Sequence, residues 1–310
     1  MDPNVRYLAE EVAENHADGL LTRREAMRRL AFLGFGATGA AALLAACSEG
    51  KSAFPGGLTS TTSAGANTTA ATSPTGPPPS VPAPLAAQEI MFPGQGFTLL
   101  GVFAPAPAPK GAVLIMHENR GITAFIRSMT GRLAASGYTA LAVDLLSKQG
   151  GTAAHPDPAE LQSVLGDNAS TGQAVKDMKS ALTELGNRAP GHKLGVTGFC
   201  FGGNMTWDLV AAGDPPPLAA AVPFYGQANN PDFSHTKAAV LAIYAALDTR
   251  VNANQPVAKM GLESAHLTYQ MQTFPGVNHA FMNDTGASYD ATQAAFAYKA
   301  MTDWFGKYLT

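Results

Sequence analysis

Three residues of this chain, Cys200, Asp248 and His279, have the types and order needed to work as one chemical unit. Cys200 stands in Lys193-Leu-Gly-Val-Thr-Gly-Phe-Cys-Phe-Gly-Gly-Asn204. That run opens as a short apolar strand, Leu194 to Thr197, turns through Gly198–Gly202, and enters a helix near Gly203. It is a Gly-x-nucleophile-x-Gly elbow with cysteine in the central place. A nucleophile held in a strained turn leaves no room for side chains two residues to either side, hence Gly198 and Gly202. The N–H groups of the new helix favour negative charge, whether a thiolate or a tetrahedral oxyanion. The plain alternative is a tight strand–helix turn around a buried structural cysteine. Asp248, in Ala245-Ala-Leu-Asp-Thr-Arg-Val251, follows a predicted strand; His279, in Pro275-Gly-Val-Asn-His-Ala-Phe281, follows the next. Singly, Asp248 would pass for a turn residue or helix cap and His279 for a loop histidine. Together they supply what a thiol nucleophile needs. The histidine accepts the thiol proton and returns it to the leaving group, and the carboxylate fixes the tautomer and steadies the imidazolium.

The elements that must position these residues alternate. Glu89–Phe92 and Phe97–Phe103 read as a strand pair around Pro93-Gly-Gln-Gly96. Ala112–Met116 is a continuous apolar run of the kind buried on both faces of a sheet. Ile122, Phe125, Ile126, Met129 and Leu133 fall at helical spacing, and Tyr138–Val143 is the next strand. A helix over about Thr171–Leu185 precedes the elbow. Strands at Ala219–Phe224, Val240–Ala245 and Leu267–Phe274 follow it, with a helix near Gln255–Ala265 between the last two. A final helix runs from about Tyr289 to Tyr308. This alternation predicts an α/β fold, a doubly wound, mostly parallel sheet with helices on both faces and its site at the carboxyl ends of the strands. After the first buried strand comes Met116-His-Glu-Asn-Arg-Gly121. The backbone N–H of Asn119 is placed there to complete an oxyanion hole with that of Phe201, and His117 reads as structural.

With His117-Glu118, the Gly198–Gly203 elbow, Asp248 with Val251, and His279-Ala-Phe281 in view, residues from about 88 to 310 resemble the dienelactone hydrolase family, within the α/β-hydrolase fold. The resemblance is greatest to the branch carrying Glu-Asn-Arg-Gly, here Glu118–Gly121. It implies a Cys-His-Asp hydrolase of enol-lactones or related small esters, working through a thioester with no cofactor and no metal. It also implies that Glu118 engages the resting Cys200 thiol and is displaced by substrate, a control with a physical basis because a nearby carboxylate disfavours the thiolate. Two clamp arginines of the family have no counterpart: Asn283 occupies the place four residues after the histidine, and no arginine occurs from Leu133 to Asn187. Arg120 and Asn283 therefore stand as the substrate-binding candidates, with Lys148 and Arg250 as further cations. The rival readings are a ligand-binding surface lipoprotein with little turnover and a redox thiol protein. The second lacks a resolving cysteine near Cys200.

Residues 1–47 read as an export signal. Thr22-Arg-Arg-Glu-Ala-Met-Arg28 precedes an uncharged apolar run, Leu30–Ala46, and resembles a twin-arginine signal with Ala26 where phenylalanine is preferred. Leu44-Ala-Ala-Cys47 resembles a lipobox, which makes Cys47 the expected lipidation site, anchored to the membrane on the extracytoplasmic side of the cell envelope. A disulfide is not expected, since the chain has two cysteines and an acylated Cys47 leaves Cys200 alone. Residues 48–87, rich in Ser, Thr, Ala and Pro, read as a disordered tether, and the folded domain spans 88–310. Charged residues make up 14% of the chain and the formal net charge is −3, so nothing points to a nucleic-acid partner, which would need a basic face.

Overall fold

Leu114 and Leu141 are fully buried partners on adjacent parallel strands near the middle of an eight-stranded sheet. The computed structural model describes residues 1–48, 76–213 and 216–310, so most of the expected tether lies outside the described residues. The sheet order is β1-β2-β4-β3-β5-β6-β7-β8. β1 (Gln88–Pro93) and β2 (Thr98–Ala104) form an antiparallel hairpin, and β2 pairs antiparallel with β4 (Tyr138–Val143). β3 (Gly111–Met116), β5 (Leu194–Phe199), β6 (Leu218–Phe224), β7 (Ala239–Ala245) and β8 (Tyr269–Phe274) complete a parallel run with β4. Every residue of β3, β4, β5 and β7 is buried, which is why these strands read as unbroken apolar runs rather than alternating ones. The edge strands β1 and β8 have exposed positions. This is the α/β-hydrolase architecture.

The layers on the sheet are α4 (Ala124–Ala135), α5 (Pro158–Ser170), α6 (Gln173–Arg188), α7 (Phe201–Ala212), the one-turn α8 (Thr249–Asn252), α9 (Gln255–Ser264) and α10 (Ala291–Tyr308). α6 buries Met178, Ala181, Leu182 and Leu185 on a single stripe. α10 is fixed to the sheet by Trp304, whose indole N–H donates to Ala239 O at 3.1 Å. Two elements differ from the sequence reading. α7 begins at Phe201, immediately after the nucleophile, rather than near Gly203. α5 was not anticipated, although it carries a helix-start signal: Asp157 Oδ1 accepts from Ala159 N–H at 2.9 Å and Pro158 occupies the first turn.

Residues 3–48, expected to lie outside the fold, form three helices packed on the domain: α1 (Pro3–Ala17), α2 (Arg23–Phe32) and α3 (Ala37–Ser48). Asp2 caps α1 by accepting from Asn4 N–H at 2.8 Å, with Pro3 in the first turn, and Thr22 caps α2 by accepting from Glu25 N–H at 3.2 Å. The apolar run that follows the twin arginines is divided between α2 and α3 by a break at Gly34-Phe35-Gly36. No described helix is long and apolar enough to cross a membrane. Tyr7, Leu8, Val12, Ala26 and Leu30 are fully buried. Arg28 forms a two-pronged pair with Asp157, at 2.5 and 2.8 Å, and Ser163 Oγ donates to Phe32 O at 2.8 Å.

Candidate active site

The sharpest local feature of the sheet is the turn out of β5. Cys200 has φ 59° and ψ −120°, a conformation that side chains rarely adopt. The glycines around it are required by contact: a Cβ at Gly198 would lie 2.1 Å from Gly202 O, one at Gly202 would lie 2.4 Å from Met116 O, and one at Gly203 would lie 2.3 Å from Phe224 O. The same closeness sets the start of α7 against the exit of β3, bringing Asn119 toward the nucleophile. Phe201 is the first residue of α7, so its N–H has no partner within the helix, whereas the N–H groups of Gly203 and Asn204 donate back to Cys200 O.

Asp248 leaves β7 and His279 leaves β8, and the two meet: Asp248 Oδ2 lies 2.5 Å from His279 Nδ1. Asp248 also caps α8, its Oδ1 accepting from Val251 N–H at 3.0 Å, so one carboxylate serves the helix cap and the histidine contact together. Tyr225, which follows β6, packs edge-on against the His279 ring at 4.9 Å between centroids, and Phe281 packs on Tyr225 at 5.8 Å. Ala280 at φ 62° turns the chain so that Phe281 can enter the core beside His279.

Charge in this site is set by burial and by neighbours. Burial pushes the Cys200 thiol up and the Glu11 carboxylate beside it adds to that, while His279 opposes both. Burial pulls the His279 imidazole down, but the Asp248 carboxylate and the Cys200 sulfur reverse this and leave it well above its ordinary value. Burial raises Asp248, yet His279 and Arg250 outweigh it and hold the carboxyl low. Glu118 is pushed up to about 7 by burial, with His279 drawing it back.

The carboxylate on the thiol is Glu11, not Glu118. Cys200 Sγ donates to Glu11 Oε2 at 3.4 Å, and Glu11 Oε1 accepts from Asn119 Nδ2. Glu118 Oε2 instead accepts from Asn283 Nδ2 at 2.7 Å, so the expected gate faces the residue that stands in the clamp position. Arg120 is exposed. His117 is structural: its Nδ1 bonds Glu118 O at 2.7 Å and its Nε2 accepts from Leu145 N–H at 3.1 Å, tying the exits of β3 and β4 together.

Sequence reasoning missed the contribution of α1. Tyr7 Oη lies 3.7 Å from Cys200 Sγ and 3.5 Å from His279 Nε2. The signal was present, since Asp2-Pro3 starts a helix and Tyr7, Glu11 and Glu14 share a face at helical spacing. Reading the segment as a leader removed it from consideration. Glu11, Cys200 and His279 each offer a ligand atom, all within 4.8 Å of one another, a donor set that a thiophilic divalent ion could use. Two of these ligand atoms, Cys200 Sγ and His279 Nε2, are also contacted by the Tyr7 hydroxyl.

The profile of the dienelactone hydrolase family matches residues 100–309, more than half of the chain. The chain belongs to the dienelactone hydrolase family. A protein of Salmonella typhi, provisionally assigned as a carboxymethylenebutenolidase, is 30% identical over 233 residues, covering 70% of this chain and 86% of its own. One from Methylorubrum extorquens, with the same provisional assignment, is 30% identical over 245 residues, covering 72% and 82%. The crystal structure of a provisionally assigned dienelactone hydrolase from Klebsiella pneumoniae superposes with a TM-score of 0.65 at 29% identity, covering 72% of this chain and 99% of that one. As a dienelactone hydrolase family member, the protein is a hydrolase acting on lactones or esters.

Proposed function

We propose that the protein cleaves small esters or lactones by a Cys200-His279-Asp248 triad through a thioester. The supporting observation is the 2.5 Å contact of Asp248 with His279, aimed at a cysteine held at φ 59° on a strand–helix elbow. His279 takes the thiol proton as Sγ adds to the carbonyl carbon. The oxygen of the tetrahedral intermediate accepts from the N–H groups of Phe201 and Asn119. Collapse expels the alcohol or enolate, which His279 protonates; in a lactone both products stay on one molecule. Water, deprotonated by His279, then hydrolyses the thioester and restores the thiol. Asp248 keeps the proton on Nδ1, so that Nε2 is free to act as base.

Alanine at Cys200 or His279 is expected to take hydrolysis of a neutral aryl ester to background, with the double variant scarcely worse, because groups acting as one unit are not additive. A slowly hydrolysed ester should leave an acyl group on Cys200, detectable by mass spectrometry. Wild-type turnover by Cys200→Ala would end this reading. We further propose export of the chain with lipid attached at Cys47, supported by the Arg23-Arg24 and Leu44–Cys47 motifs.

A further inference from the structure

Helix α1 lies on the reacting atoms of the candidate site. Glu11 Oε2 is 3.4 Å and Tyr7 Oη 3.7 Å from Cys200 Sγ, and Cys200 is 3% exposed. An acyl carbon must come to about 3–3.5 Å from the sulfur before bond formation. The Glu11 carboxylate already holds that distance, bonded on its other oxygen to Asn119, beside the N–H proposed to receive the oxyanion. Substrate and α1 therefore compete for one place.

We infer that α1 is a built-in occupant of this site, which shields Cys200 from substrate until the helix is displaced or cut away. The docking is specific along the whole helix. At its start, Asn4 Nδ2 donates to Asp208 at 2.9 Å, and Asn4 Oδ1 accepts from Asn204 at 3.3 Å and Asn229 at 3.2 Å. At its end, Glu14 accepts from Arg250 Nε at 2.8 Å, and Tyr7 stacks on the Arg250 guanidinium at 4.3 Å. Between these anchors Tyr7, Leu8 and Val12 are fully buried, which holds the helix against the domain. Only some of what α1 covers is satisfied by it. Arg250 Nη1 and Nη2 are buried without a hydrogen-bond partner among the described residues, a guanidinium edge open to an anionic group once the helix leaves. If the chain is cut before Cys47, as the proposed lipid attachment requires, α1, α2 and α3 as far as Ala46 leave with the leader. The processing that creates the anchor would then also open the site.

The test compares full-length wild type with Leu8→Asp/Val12→Asp, which places two charges in the buried face of α1, and with Glu11→Gln, which keeps the packing. Iodoacetamide labelling is read separately at Cys200 and at Cys47 by peptide mass mapping, after circular dichroism and melting show a folded protein. Cys200 labelling near neutral pH is expected to rise at least tenfold in the double variant relative to wild type. In Glu11→Gln the pH profile of Cys200 labelling should move to lower pH, because a carboxylate that disfavours the thiolate is gone. That arm decides alone if the double variant does not fold. Unchanged Cys200 labelling in the folded variants overturns the inference. Hydrolysis of a neutral aryl ester is followed in parallel. Faster labelling without hydrolysis leaves α1 as the occupant and removes the hydrolase reading. Hydrolysis that falls in the double variant, with labelling unchanged, makes α1 a supporting part of the working site and overturns the inference.

Discussion

Replacing Asp248 by asparagine isolates the orienting role of the carboxylate with little change of shape. Asp248 is 1% exposed and makes two contacts, with Val251 N–H at 3.0 Å and His279 Nδ1 at 2.5 Å. An asparagine can keep its oxygen on Val251 N–H, which turns its NH₂ toward His279. Nδ1 must then accept, the proton moves to Nε2, and the ring presents a donor rather than a base to Cys200. The loss expected for that wrong tautomer is about 10⁴-fold in kcat, or roughly 5 kcal/mol of transition-state stabilisation. The helix cap, worth about 1 kcal/mol, is kept, so the melting temperature should change far less than in Asp248→Ala. The comparison is made on steady-state hydrolysis of an aryl ester at several pH values. The ratio of variant to wild type does not depend on how much of each population has α1 docked, provided docking is the same in both. A loss below tenfold, or one confined to KM, would refute the assignment of Asp248 as the orienting residue.

Glu118 makes stability depend on pH in a stated direction. Its carboxyl rises from 4.5 to about 7 in the fold, so the folded state holds a proton that the unfolded chain has lost. Stability is therefore greatest, on this account, below pH 4.5 and is lost as pH rises to 7, by up to about 3 kcal/mol. Melting followed between pH 5 and 7.5 should show that decline, and Glu118→Gln should reduce it to the part due to Asp177 and Asp208, both raised to about 6 by burial; an equal slope in the variant would remove Glu118 as a source. For the anchor, labelled palmitate should enter the wild-type chain and not Cys47→Ala in cells that carry out lipoprotein processing. Equal incorporation into both would show that Cys47 carries no lipid.

Much of the candidate site was legible because it is local. Gly198 and Gly202 announce the elbow, since a strained turn between a strand and a helix tolerates nothing larger where backbone meets backbone. Asp248 and His279 could be paired because each follows a predicted strand, and parallel strands deliver their ends to one edge of the sheet. The unbroken apolar strands followed from helices covering both faces. The partner of the thiol was not legible. Glu118 and Glu11 are both carboxylates, and choosing between them needs the packing of α1 against Asn204, Asp208 and Arg250, contacts that span about two hundred positions of sequence or more. The twin arginines, apolar run and Cys47 describe how a segment could be addressed and processed, and they carry no information on where it rests while still attached. Only the tertiary structure decided that. The buried face of α1 gains more by covering Cys200 and its neighbours than by staying in water, and the Glu11 carboxylate, once there, finds a thiol and an amide to bond.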